Sequence, residues 1–136
     1  MADFKRLKIW RTSHGLSVSV YALVRTLPRE EVYGLRAQMT RAAGSIPANI
    51  AEGVGRGGDR EVARFLDIAL GSAMELECHV LRALDLRNID VDPARAFLAD
   101  LNMTQKMIAS LRLKIRRRLR ASGSGHRSTA HLAPRT

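Results

Sequence analysis

Apolar side chains recur three or four residues apart through the segment QMTRAAGSIPANIAEGVGRG, residues 38–57, and its approach: Leu35, Met39, Ala42, Ile46, Ile50 and Val54. That spacing lays a single apolar stripe along a helix, whereas a strand alternates its faces at every second residue. Pro47 falls in the middle of the stripe. It has no amide hydrogen and its ring crowds the carbonyl of Ala43, so the helix is expected to bend there. Gln38, Arg41, Ser45, Asn49, Glu52 and Arg56 make a polar stripe beside the apolar one. Thr40, Gly44, Ala48, Ala51 and Gly55 make a third, of small residues that admit another backbone closely. A chain built around this segment must find partners for three different faces.

The same spacing organises the rest of the chain. A first helix is expected from an Asp3 N-cap to about Leu27, closed by Pro28, with Leu7, Trp10, His14, Val18, Tyr21 and Val24 on its core face. Leu16, Val20, Leu23 and Leu27 widen that face. Trp10 reads as a core anchor and His14 as a packed histidine. The central helix is expected over about residues 31–54. Gly53, Gly55, Gly57 and Gly58 with Arg56 then read as a cap and tight turn, because their spacing matches no phosphate-binding loop and no strand precedes them. A third helix is expected from Asp59 to about Arg87, on Val62, Phe65, Ala69, Ala73, Leu76, Val80 and Ala83. A fourth starts at Asp92-Pro93 and continues on Phe97, Leu101, Thr104, Ile108, Leu111 and Ile115 to about Leu119. From Ser122 the chain offers little to bury and is expected to be disordered. The expected fold is all-α: an antiparallel up-down four-helix bundle over residues 1–121, with a tail over residues 122–136.

Composition restricts what such a bundle does. The single cysteine, Cys78, permits no internal disulfide, and no apolar run is long enough to span a bilayer, so a cytoplasmic protein without a membrane partner is expected. Glu75, Glu77, Cys78 and His79 lie close together, but the two acids point to different faces and the Glu-x-x-His spacing of a di-metal bundle is missing. No nucleophile sits beside a base. No catalytic residue, metal or cofactor is expected, and the chain reads as a non-enzyme.

The charge is unevenly distributed. Of the net +10, residues 1–100 contribute almost nothing, with 14 Lys/Arg against 13 Asp/Glu, while residues 101–136 hold 9 Lys/Arg and no acid. Arg112, Lys114, Arg116, Arg117, Arg118 and Arg120 crowd the end of the fourth helix, more cations than a helix dipole needs. An acidic partner such as RNA or DNA is the corresponding expectation. With six aromatic residues, most at core spacing, base stacking is not expected, so contacts should fall on phosphates.

Finally, the residues resemble a family. Tyr33-Gly34-Leu35, Gln38, Arg41-Ala42-Ala43, Ser45-Ile46-Pro47, Asn49-Ile50-Ala51-Glu52-Gly53 and Gly55-Arg56 are similar to the four-helix-bundle proteins found as reading frames in 23S ribosomal RNA intervening sequences. Glu61, Phe65-Leu66, Ala69, Gly71-Ser72 and Glu75-Leu76-Glu77 extend the likeness. The resemblance implies a ring-like homopentamer without enzyme activity, with Tyr33, Gly34, Gln38, Arg41, Ser45, Pro47, Asn49, Glu52, Gly53 and Arg56 as motif and interface residues. A remoter likeness, to the accessory variability determinant of diversity-generating retroelements, implies a nucleic-acid enzyme such as a reverse transcriptase as a partner. Two functions follow as expectations: a homo-oligomer that binds RNA or DNA phosphates through the fourth helix, or a scaffold that docks an enzyme without touching nucleic acid.

Overall fold

The computed structural model describes residues 3–31 and 33–130, with side chains as far as Gly123. Among these residues there are four α-helices and no strand: α1 (Lys8–Val24), α2 (Leu35–Arg56), α3 (Asp59–Asp85) and α4 (Val91–Ala130), with short 3-10 turns at Phe4–Arg6 and Arg29–Glu31. Each helix packs on its neighbour in sequence, and α1 closes the circuit against α4. The result is a four-helix bundle whose largest fully buried side chains include Met39, Ile46, Ile50, Leu66, Leu76, Leu101 and Ile108.

The stripes read for helices two, three and four become the core. Leu35, Met39, Ala42, Ile46 and Ile50 of α2 are buried, as are Phe65, Ala69, Ala73, Leu76, Val80 and Ala83 of α3 and Phe97, Leu101, Thr104, Ile108 and Ile115 of α4. In and just after α1 the expected Leu16, Val20, Leu23, Val24 and Leu27 are buried, but the helix departs from expectation in the rest of its stripe. Its core face is Ile9, Ser13, Leu16, Val20 and Leu23, while Val18 and Tyr21 are 60% and 61% exposed. Ser13 explains the discrepancy. A hydroxyl interrupts the apolar series, yet it is fully buried because it donates to the carbonyl of Trp10 in its own helix. Trp10 is half-buried beneath Phe4, and His14 lies in solvent, stacked on the indole at 4.7 Å.

Helix ends also shift. Asp3 caps the Phe4–Arg6 turn rather than α1, accepting from the Lys5 amide. α2 begins only at Leu35, whose amide donates to the Glu31 carboxylate. It runs through the buried Pro47 to Arg56. Gly57 and Gly58, both at positive φ, form the turn into α3, a conformation that favours glycine. Asp59 therefore opens α3 instead of capping it. The turn after α3 closes with Asn88 N–H on the Ala83 carbonyl and Arg87 N–H on that of Leu84. α4 starts one residue before Asp92 and continues past Leu119 as helix to Ala130, so the tail expected to be disordered from Ser122 is helical that far. No proline stands between Leu119 and Ala130, and extending a formed helix costs far less than starting one, even across Gly123 and Gly125. Residues 131–136 of that tail lie outside the described residues. No helix among the described residues is long and apolar enough to cross a membrane.

Candidate functional site

Two groups of residues carry the functional expectations. The first, on α2, is a seam rather than an open surface. Arg41 Nη2 donates to Glu75 Oε1 across to α3 at 2.7 Å. One turn along, the Ser45 and Ser72 hydroxyls share a hydrogen bond of 2.9 Å, and Asn49 Nδ2 donates to the Ser45 carbonyl and hydroxyl at 2.7 and 2.9 Å. Further on, Gly53 faces Phe65 so closely that an added Cβ would stand 2.8 Å from the Phe65 Cβ. Arg56 pairs with Glu52 at 2.9 Å and lies over the Phe65 ring at 5.1 Å. The Arg41 guanidinium holds the Glu75 carboxyl below the usual glutamate range. Burial opposes that shift, and His79, whose Nε2 lies 3.5 Å away, adds to it. Of the motif, Gln38 is exposed and Tyr33 is 95% exposed. Gly34 sits against the Glu31 carboxylate, and Pro47 is buried.

The small-residue stripe faces the other way. A Cβ added at Gly44, Gly55 or Gly71 would meet nothing within 4 Å, and Ala48 is exposed. Close approach inside the chain occurs at Gly53, outside that stripe. On α3, Ile68, Met74 and Leu81 stand exposed, as do Gly71 and the thiol-bearing Cys78.

The second group, the cations of α4, does not form one free cluster. Arg112 and Arg116 both clasp Asp67 of α3. Arg118 pairs with Asp59 at 3.1 Å, at the rim of an apolar cavity of about 390 Å³ lined by Ile50, Val54, Leu66 and Ile115. Lys114, Arg117 and Arg120 are exposed, and among the described residues none of them makes an ion pair. Helical spacing accounts for the first pair, since Arg112 and Arg116, four apart, share the face toward α3. Their shared partner, Asp67, was visible in sequence only as a single acid 45 and 49 residues away. Sequence reasoning also missed Lys8 and Lys106, which join Lys114 along the α1–α4 seam.

A four-helix bundle stitched by polar pairs between α2 and α3, with a basic α4, describes a class. The chain belongs to the 23S rRNA-intervening sequence protein family, whose model matches residues 5–110. Its fold is similar to that of a protein of unknown function from the S23 ribosomal protein family of Bacteroides thetaiotaomicron, with a TM-score of 0.70 at 23% identity. That match covers 76% of this chain and 96% of the other. No curated protein matches the chain. Neither the family description nor the structural neighbour names an enzyme activity.

Proposed function

We propose that the protein is a non-enzymatic homo-oligomer that binds RNA or DNA through phosphate contacts made by Lys114, Arg117 and Arg120. The observation that carries this reading is the division of the α4 cations: Arg112, Arg116 and Arg118 are spent on α3, and the other three face solvent without a counter-charge. An oligomer repeats those three on each subunit, so weak individual contacts add up. Phosphate neutralisation releases counterions, hence affinity falls with salt and varies little with base sequence. Binding of a generic duplex and of a single strand is to be measured across a salt series. Absence of binding at low salt rejects this reading.

Assembly has its own support. The order of contacts, Arg41 with Glu75, Ser45 with Ser72 and Gly53 with Phe65, ascends along α2 as it descends along α3, which fits an antiparallel up-down path. The vacant Gly44, Gly55 and Gly71 and the exposed Ile68, Met74 and Leu81 leave small and apolar outer surface on α2 and α3 that suits a second copy. A ring of five is what the family resemblance implies. The missing amide of Pro47 bends α2 and shapes this outer face; Pro47→Ala is expected to loosen assembly although it restores a backbone donor. Gly44→Leu is expected to weaken the oligomer and leave the bundle folded. Light scattering reads both variants, and a stable wild-type monomer at micromolar concentration contradicts the assembly.

A further inference from the structure

The seam between α1 and α4 is packed less closely than the seams on either side of it. At the α1 start it opens into a groove of about 540 Å³, floored by Leu7, Met103, Met107 and Leu111 and lined by Lys8, Lys106 and Lys114. All three lysines are exposed, and no acid lines the groove. Met103, on its edge, is 64% exposed. From Met103 to Lys114 the groove runs about 17 Å along α4, three turns of helix.

We infer that this groove docks an acidic amphipathic helix of another protein. The floor must be covered by apolar side chains, and the lysines answered by carboxylates; a helix with a leucine stripe flanked by glutamates supplies both. Flexible methionines suit such a floor because they adapt to the knobs of an incoming helix. A phosphate backbone answers the lysines but leaves the methionines and leucines uncovered. A second copy is a poorer match for the lysines, because each copy carries +10 and the two repel overall. The contact shares Lys114 with the nucleic-acid reading and adds Lys8 and Lys106, which take no part in that reading.

The test is fluorescence anisotropy with a labelled peptide about 15 residues long, near the shortest isolated helix that holds together. It carries leucines at helical spacing with glutamates on the flanks, and its control replaces every glutamate by lysine. The full chain is expected to bind the acidic peptide saturably and the basic control not at all. Lys8→Glu with Lys106→Glu is expected to weaken the acidic peptide by about tenfold, from two attractions turned into repulsions. Met103→Asp is expected to weaken it as well, and circular dichroism checks that each variant keeps its helix content. Equal binding of both peptides, or unchanged affinity in the lysine double variant, overturns the inference. Dissociation of the oligomer by Met103→Asp overturns it in favour of a second copy, and displacement of the peptide by a DNA duplex from the Lys114→Ala/Arg117→Ala/Arg120→Ala variant, which lacks the cations of the nucleic-acid reading, overturns it in favour of nucleic acid.

Discussion

Arg41 in α2 and Arg117 in α4 are both exposed arginines, yet the first reaches across to Glu75 and the second reaches no acid. Along the α2–α3 seam, nearly every polar motif residue is answered by another, and the glycine that matters is pressed against Phe65. Along α4, alternate cations are answered and unanswered. A family motif and a charge cluster therefore report different things. The motif records how two helices are held together, whereas the cluster records binding capacity only after its internal partners are subtracted.

The largest effect expected from breaking this contrast is at Gly53. Gly53→Val forces side-chain volume into the Phe65 contact and is expected to cost about 1–3 kcal/mol. Gly44→Ala adds a methyl group where space is open and is expected to stabilise the helix by up to about 1 kcal/mol. Urea unfolding of the two variants sharpens the distinction between the inner and the outer small residues, and equal shifts would erase it.

Next comes Asp67, the shared partner of Arg112 and Arg116. All three groups are more than a third exposed, so Asp67→Asn is expected to cost only about 1 kcal/mol of stability. It also frees two cations, so nucleic-acid affinity is expected to rise. A loss of stability with no gain in affinity would show that the α3 face of α4 lies away from the bound strand.

The smallest effect concerns pH. Because Arg41 lowers the Glu75 carboxyl in the folded state, that pair contributes stability at neutral pH. The contribution disappears as pH falls through the folded value, below the ordinary glutamate range. Glu75→Gln is expected to flatten this part of the acid limb in a stability profile. A wild-type and a variant limb of the same shape would remove Glu75 from the seam's electrostatics.

How far these features were legible in the sequence depends on whether a residue's partner is set by spacing or by tertiary approach. The core of α2, α3 and α4 was legible because Met39, Ala73 and Ile108 recur at the helical period without interruption. The core of α1 was legible only in part: Leu16, Val20, Leu23 and Val24 are buried as read, but buried Ser13 broke the apolar series, and His14, Val18 and Tyr21, read as core, lie exposed. The end of α4 was missed because glycines and serines suggest a stop, yet here, unlike at Gly57 and Gly58, the helix continues through Gly123 and Gly125 to Ala130. The six α4 cations were legible as charges, but their division depends on Asp59 and Asp67 arriving from another helix. Lys8 and Lys106 gave no signal at all, being single cations about a hundred residues apart that only the α1–α4 seam brings together.

The most direct test compares two triple variants of equal charge loss, Lys114→Ala/Arg117→Ala/Arg120→Ala and Arg112→Ala/Arg116→Ala/Arg118→Ala, in the salt dependence of duplex binding. The first is expected to keep wild-type stability and oligomeric state, to bind more weakly, and to show a slope shallower by about 0.9 for each phosphate no longer neutralised. The second is expected to lose stability and to retain most of the wild-type slope. Equal slopes for the two variants, or weaker binding by the second than by the first while it stays folded, would contradict the claim that unpaired cations bind while paired ones hold the bundle together.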